Sequence, residues 1–178
     1  MQPEPLKVLL EGPPKIGKST AVSRLAALLG DADTPVGGFI TREIRQDGRR
    51  VSFCIKDLAG PEAVLAHQDL RTNVQVGRFY VDIPAFERIA LPALHRAGQL
   101  GGVIIVDEIA RMELASSAFV NDVERVLDQP VQLVATVHVH NHPITDKIKA
   151  RADVERIEVT EKNRDDLPPD LFQRLATG

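Results

Sequence analysis

Gly12-Pro13-Pro14-Lys15-Ile16-Gly17-Lys18-Ser19 decides the fold, set between the apolar run Leu6-Lys7-Val8-Leu9-Leu10 and a segment with Val22, Leu25, Ala26 and Leu29 at helical spacing. It matches G-x-x-x-x-G-K-[ST] without a gap. A phosphate group is held when successive backbone amides curl around its oxygens, and glycines permit that path. A helix that starts at the anion adds the favourable end of its dipole. Lys18 then reaches the β- and γ-phosphates and Ser19 offers a hydroxyl to Mg²⁺. Lys15 stays open between the phosphates and solvent. Pro5 and Gly12 bound the strand, and Gly30 is expected to stop the helix as its C-cap.

Outward from the loop, residues 36–45 and 49–57 are two β-rich runs around Gln46-Asp47-Gly48, a hairpin signal. Residues 58–73 read as polar and irregular, with Gly60-Pro61 as a turn, and 76–83 as another strand. Pro84 opens a helix whose apolar face is Phe86, Ile89, Ala90, Leu94 and Ala97. Ser116-Ser117 caps a helix with Phe119, Val120, Val123, Val126 and Leu127 inward. A strand over 131–139, a short helix over 144–152, a strand over 154–159 and a helix from about 164 to 175, bent or restarted at Pro168-Pro169, complete the chain. Alternating strands and helices predict an α/β domain over 1–178 with a mainly parallel sheet, the 36–57 hairpin being an antiparallel addition near its edge.

Val103-Ile104-Ile105-Val106 is a continuous β-branched run, suited to a parallel strand buried on both faces, and Asp107-Glu108 stands at its carboxyl end. That pattern resembles the Walker B strand of phosphate-loop nucleotidases. Asp107 is expected to hold Mg²⁺, and Glu108 to orient or deprotonate an attacking water. Thr136 meets the γ-phosphate if its strand neighbours these two. Charge on a transferring phosphoryl group needs compensation; Arg42, Arg78, Arg111 and Arg164 are candidates. Arg111 is the best placed, three positions past Glu108. Glu113 either orients metal-bound waters or makes an ordinary salt bridge. His138, His140 and His142 alternate, which on an extended strand puts three imidazoles on one face, a zinc-binding arrangement. Pro143 argues that the strand is ending there and favours a structural or nucleotide-edge role.

The composition narrows the classes. The chain has 178 residues, 43% hydrophobic and 26% charged, with 22 basic against 25 acidic side chains and a net charge of −3. A chain of this size buries roughly 70% of its unfolded surface and needs no covalent staples. The charge balance argues against a dedicated nucleic-acid module. The single Cys54, read as a buried strand residue, allows no intramolecular disulfide and fits a reducing cytoplasm. The opening Met1-Gln2-Pro3-Glu4-Pro5 carries no secretion signal, and no apolar stretch is long enough to span a membrane.

Several blocks taken in order resemble the THEP1 family of nucleoside-triphosphatases. They are Gly12–Thr20; Val36-Gly37-Gly38-Phe39-Ile40-Thr41 with Glu43 and Arg45; Val76-Gly77-Arg78-Phe79; Phe86-Glu87 with Ala90-Leu91-Pro92-Ala93-Leu94; Asp107-Glu108-Ile109 with Met112-Glu113-Leu114; Ala135-Thr136-Val137; and Val159-Thr160 with Asn163-Arg164-Asp165. The resemblance implies a Rossmann-like phosphate-loop NTPase domain of the RecA (ASCE) type. It also implies slow Mg²⁺-dependent hydrolysis of ATP, GTP and other triphosphates to diphosphate and phosphate, with broad base tolerance. On it, Gly12, Pro13, Pro14, Lys15, Ile16, Gly17, Lys18, Ser19 and Thr20 bind the nucleotide, with Asn163 and Arg164 approaching base or phosphates. Lys18, Glu108 and Arg111 are catalytic, and Ser19 and Asp107 hold the metal. The family block Asp-Glu-Ile-Gly-Lys-Met-Glu is altered here: Ala110 replaces the glycine and Arg111 the lysine, which keeps the charge but not the reach. His138 stands near where the family often has proline.

Two other functions compete. A nucleotide or nucleoside kinase shares the loop, but there is no compact arginine-rich lid segment. A nucleotide-dependent switch is the other; Lys162-Asn163-Arg164-Asp165 lacks the Asn-Lys-x-Asp order that guanine specificity uses.

Overall fold

A computed structural model describes residues 4–176; Met1-Gln2-Pro3 of the N-terminal reading and Thr177-Gly178 of the 1–178 domain lie outside the described residues. In chain order the elements are β1 (Lys7–Glu11), α1 (Lys18–Asp31), β2 (Val36–Gln46), β3 (Arg49–Asp57), β4 (Glu62–His67), β5 (Gln75–Val76), β6 (Phe79–Val81), α2 (Ile83–Leu100), β7 (Val103–Ile109), α3 (Ser117–Asp128), β8 (Gln132–Val137), α4 (Pro143–Lys149), β9 (Glu155–Glu158) and α5 (Leu167–Ala176).

All nine strands among the described residues form one sheet, ordered β5-β6-β4-β3-β2-β7-β8-β1-β9. Five strands, β2, β7, β8, β1 and β9, pair in parallel; β3, β4, β6 and β5 continue the sheet antiparallel from β2. The α/β class with its antiparallel addition is therefore as expected. Its placement differs. The hairpin does not sit at an edge, because β2 pairs with β7 inside the sheet and its partner β3 is followed by three more strands. The 58–73 segment is not irregular throughout, since Glu62–His67 pairs with β3. That strand forms because β3 presents an open row of backbone donors and acceptors, a partner no local pattern reveals. The expected 76–83 strand is broken into β5 and β6 by a turn at Gly77, which has a φ of 59°.

Side-chain alternation divides the core between the two faces of the sheet. Leu9, Ile104, Val106 and Ala135 pack with Phe39 and with Phe86, Leu94, Phe119 and Val123 of α2 and α3. Val8, Leu10, Val103, Ile105 and Val134 pack with Val22, Leu25 and Leu29 of α1 and Leu171 and Leu175 of α5. Helices thus cover both faces, as a continuous apolar strand such as β7 requires. Phe39, Phe86 and Phe119 meet with ring centroids 5.1–5.8 Å apart, an edge-on and tilted arrangement that adds to their burial. Cys54 is half-buried rather than buried.

The ends of several elements correct the sequence reading. Gly30 lies inside α1, and Ala32 caps it, its N–H reaching back to the carbonyls of Leu28 and Leu29. The 131–139 strand stops at Val137, and the 144–152 helix is Pro143–Lys149. The terminal helix begins at Leu167 with Pro168 and Pro169 in its first turn, where a missing N–H is harmless, so no bend is needed. Ser116 caps α3 as expected, accepting from the Phe119 amide. No helix among the described residues is long and apolar enough to cross a membrane.

Gly38 shows why β2 lies against β7. Its φ is 97°, and a Cβ there would sit 1.9 Å from the carbonyl oxygen of Ile105. Gly38→Ala is expected to lower the unfolding free energy by about 3 kcal/mol, from left-handed strain plus the backbone clash. Urea unfolding of the two proteins measures it; a loss below about 1 kcal/mol would show that β2 can shift freely along β7.

Candidate active site

The loop between β1 and α1 is built as the spacing requires. Gly17 takes a φ of 118° and is approached closely by Arg164: a Cβ at Gly17 would lie 3.3 Å from the arginine Cδ. Lys15 is exposed with a φ of 67°, and the Ile16 amide donates to the Pro13 carbonyl at 3.3 Å. Pro13, Pro14, Ser19 and Thr20 are also exposed, while Gly12 is buried. The N-terminus of α1 has no side-chain cap and no acidic residue in its first turn. Its amides and positive dipole end face the loop, the arrangement that attracts an anion. Lys18 is only 8% exposed, and its ammonium donates to the Gly12 carbonyl at 2.8 Å and the Pro13 carbonyl at 3.3 Å.

The loop reaches β7 through hydroxyl groups. Asp107 Oδ1 accepts from Ser19 Oγ at 3.0 Å and from Thr136 Oγ1 at 2.5 Å. The strand order explains the contact: β8 lies between β1 and β7, so Thr136 stands between the loop and Asp107. The pairing of β7 with β8 is bulged, Val106 facing Ala135 and Ile109 facing Val137. Two residues, Asp107 and Glu108, therefore oppose the single Thr136. A bulge of this kind re-aims side chains, and here it sets two consecutive acids at the end of the sheet. The strand continues through them to Ile109 instead of ending before them.

Asp107 is fully buried, and its Oδ2 has no hydrogen-bond partner among the described residues. Burial pushes its carboxyl above the usual range, against the pull of the Thr136 and Ser19 hydroxyls, the Thr41 backbone amide and the Lys18 charge. Burial also raises Glu108, opposed by Lys18 and reinforced by Asp107. Glu113, in the short turn after β7, is pushed up to about 8 by burial and by the negative charges of Glu108 and Asp107. It forms no ion pair among the described residues, so the salt bridge considered for it is absent. An acid whose folded pKa exceeds its unfolded one holds a proton that the unfolded chain releases. Stability is therefore lost as pH rises from the ordinary glutamate value of 4.5 towards about 8. Glu113→Gln removes that loss. The variant is expected to unfold at least about 1 kcal/mol later than the parent at pH 8 and to match it near pH 4. Unfolding curves at the two pH values test this; parallel pH dependence in both proteins would contradict it.

The arginine candidates separate. Arg164 is at the loop, donating to the Ile16 carbonyl at 3.3 Å, and Asn163 braces the preceding turn by accepting from the Thr160 amide at 2.8 Å. Arg111 is exposed, on the segment that follows β7. Arg42 is paired with Glu62, and Arg78 donates to the Arg50 carbonyl and lies over Phe79. Arg78 stands between β5 and β6, with β6 six strand intervals from β1, whereas Arg42 lies on β2 beside β7 but is turned to Glu62. They are not brought to the loop. His138, His140 and His142 lie beyond the end of β8, where His142 caps α4 through Nδ1. No trio of His, Cys, Asp or Glu among the described residues is set to hold a metal ion. Thr136 was legible only as a conditional candidate, a hydroxyl ending an apolar strand. Glu113 gave a weaker signal, an acid between Met112 and Leu114.

Known proteins resemble this chain in sequence and fold. A family model described as NTPase matches residues 7–172. The nucleoside-triphosphatase THEP1 of Thermotoga sp. (strain RQ2) is 42% identical over 170 residues, covering 96% of this chain and 95% of that protein. The human cancer-related nucleoside-triphosphatase is 35% identical over 177 residues, covering 92% and 93%. The crystal structure of THEP1 from the hyperthermophile Aquifex aeolicus superposes with a TM-score of 0.86 at 31% identity over 96% of this chain and 99% of that one. The solution structure of a human cancer-related nucleoside triphosphatase gives 0.84 at 33% identity, over 97% and 98%.

Proposed function

The chain belongs to the THEP1 family of nucleoside-triphosphatases, and from that premise we propose that it is a Mg²⁺-dependent phosphohydrolase that slowly converts ATP, GTP and other nucleoside triphosphates to diphosphate and phosphate. We further propose that it acts in the cytoplasm as one domain spanning residues 1–178. One observation carries the reading: the hydrogen bonds that Ser19 and Thr136 both donate to Asp107 Oδ1 tie the phosphate loop to the acids of β7 and leave Asp107 Oδ2 buried without a partner among the described residues.

That donor set fits a hard divalent cation, which prefers oxygen ligands. Ser19 and Asp107 would hold Mg²⁺, which would supply positive charge to the phosphate oxygens. The amides of Gly12, Lys15, Ile16, Gly17, Lys18, Ser19 and Thr20 wrap the phosphates; Pro13 and Pro14 contribute only shape and carbonyls, having no N–H. Lys18 leaves the Gly12 and Pro13 carbonyls for the β- and γ-phosphates. Glu108 takes the proton of the attacking water or fixes its approach, a role suited to a carboxylate that burial holds above its ordinary range. Arg164 lies on the loop side and Arg111 on the β7 side, where each compensates charge on the transferred group. Asn163 holds the turn that presents Arg164. Contacts to phosphates are common to every nucleoside triphosphate, which accounts for broad base tolerance.

Phosphate release from ATP, GTP, CTP and UTP tests this. Rates are expected within about tenfold of one another, a spread of about 1.4 kcal/mol, and removal of divalent metal with EDTA abolishes them until Mg²⁺ is restored. Stoichiometric transfer of phosphate to a nucleoside or nucleotide acceptor would overturn hydrolysis in favour of a kinase.

A further inference from the structure

The mechanism above uses nothing from the far end of the antiparallel extension. Phe39 on β2 lies level with Val106 on β7, and the Thr41 backbone amide donates to Asp107. From there β2 runs on to Gln46 and turns back at Asp47-Gly48 into β3. The stretch from Thr41 to Gln46 therefore projects past the level of Asp107, by roughly 17 Å at the rise of a strand.

The tip of this projection is rich in arginine. Arg50 lies over the Phe53 and Phe79 rings at 5.2 and 5.6 Å, and Arg78 over Phe79 at 5.1 Å. Arg78 also donates to the Arg50 carbonyl. On the next residue of β6, Arg71 lies over the Tyr80 ring at 5.2 Å. Arg45 and Arg50 share a single carboxylate, that of Glu43. Arg49, Arg71 and Arg78 are exposed and make no ion pair among the described residues. Residues 36–81 hold seven basic and five acidic side chains, and the rest of the chain 15 and 20. A net positive extension thus stands on a net negative body. A guanidinium already held against a ring has lost part of its rotamer freedom, so less is lost when a partner arrives.

Composition says which class of partner fits. Six of the seven basic residues in 36–81 are arginine, and Lys56 is the exception. Nucleic-acid faces draw on lysine and arginine alike, and the balance of the whole chain argues against one. Protein interfaces are enriched in arginine and aromatic rings and depleted in lysine, and arginine is frequent among the residues that carry most of the binding energy. We infer that the tip of the extension is a docking surface for an acidic protein partner, whose carboxylates accept from the arginine N–H groups that Glu43 leaves unmatched. The inference holds whatever the phosphate loop binds.

A fluorescein-labelled glutamate-rich peptide and a labelled oligothymidylate of equal formal charge, each titrated into the full chain at low ionic strength, test it. ¹H–¹⁵N spectra locate the contact. The peptide is expected to move the amides of residues 48–50 and 77–80 and to leave those of 15–19 in place. Arg49→Gln combined with Arg78→Gln is expected to weaken the peptide about fivefold, the worth of two exposed charge pairs. Arg88→Gln combined with Lys162→Gln, which removes two exposed basic residues elsewhere, is expected to change it less than about twofold. Absence of peptide binding to the parent, or amide shifts that avoid the tip, would overturn the inference. So would an oligonucleotide that binds the tip about tenfold more tightly than the peptide, which would mark a nucleic-acid surface instead. The parent's spectra decide this even if a variant misfolds.

Discussion

Lys18→Ala is expected to cut kcat/KM for ATP about a thousandfold, a loss near 4 kcal/mol of transition-state stabilisation. Three acids, Asp107, Glu108 and Glu113, lie close enough to influence one another, and Lys18 is the cation that acts on the first two. Removing it deprives the phosphates of their ammonium and leaves the acids to repel the incoming triphosphate. KM should therefore rise as kcat falls. The fold should survive, because Lys18 opens α1 and alanine is the better helix former. Lys18→Arg should rescue little, since a planar guanidinium cannot occupy the pocket made by the Gly12 and Pro13 carbonyls in the manner of an ammonium. Steady-state phosphate release with a parallel melting curve measures both effects. Activity within tenfold of the parent would mean that the loop does not hold the reacting phosphate.

Glu108→Gln is expected to lower kcat by about 10²–10⁴, the usual range for loss of a general base, with nucleotide affinity nearly unchanged. The substitution keeps size and polarity and removes only the ability to take a proton. Burial raises the Glu108 carboxyl, and under the proposed mechanism the ionised form is the active one. The parent's rate should therefore rise with pH on a limb displaced above the ordinary carboxylate range, and the variant should lack that limb. Single-turnover hydrolysis across pH, together with binding of a fluorescent triphosphate, separates chemistry from affinity. Equal rates in the two proteins would remove Glu108 from the mechanism. Asp107→Asn offers a contrast, because it disturbs the contacts to Ser19 and Thr136 and should weaken metal dependence as well as rate.

Much of the site was legible because its signals are local. The loop from Gly12 to Ser19 carries its own geometry in glycines and in the helix that follows. The Ser116 cap and the apolar faces of α2 and α3 were legible for the same reason, since capping and helical spacing act within a few residues. Gly30 misled because a glycine signals a helix end only when backbone partners beyond it agree, and α1 continues to Asp31. The 62–67 strand was missed because its stability comes from pairing with β3. The histidine alternation promised a common strand face, but β8 ends at Val137, and the rings of His140 and His142 gather 5.9 and 6.4 Å from that of His138 in the segment beyond the strand.

The sequence by itself determined the phosphate loop, the acids that answer it and the α/β class, because each depends on the order of side chains along a short stretch of backbone. Tertiary structure decided which of these groups meet. Thr136 touches Asp107 because β8 is inserted between β1 and β7. Asp107 and Glu108 are both presented because a bulge sets two residues against one. Arg164, and not Arg42 or Arg78, lies on the loop because the chain after β9 returns past Gly17. Strand order and register are set by burying both faces of one sheet under helices far apart in the chain, and that balance is a property of the whole molecule rather than of any segment.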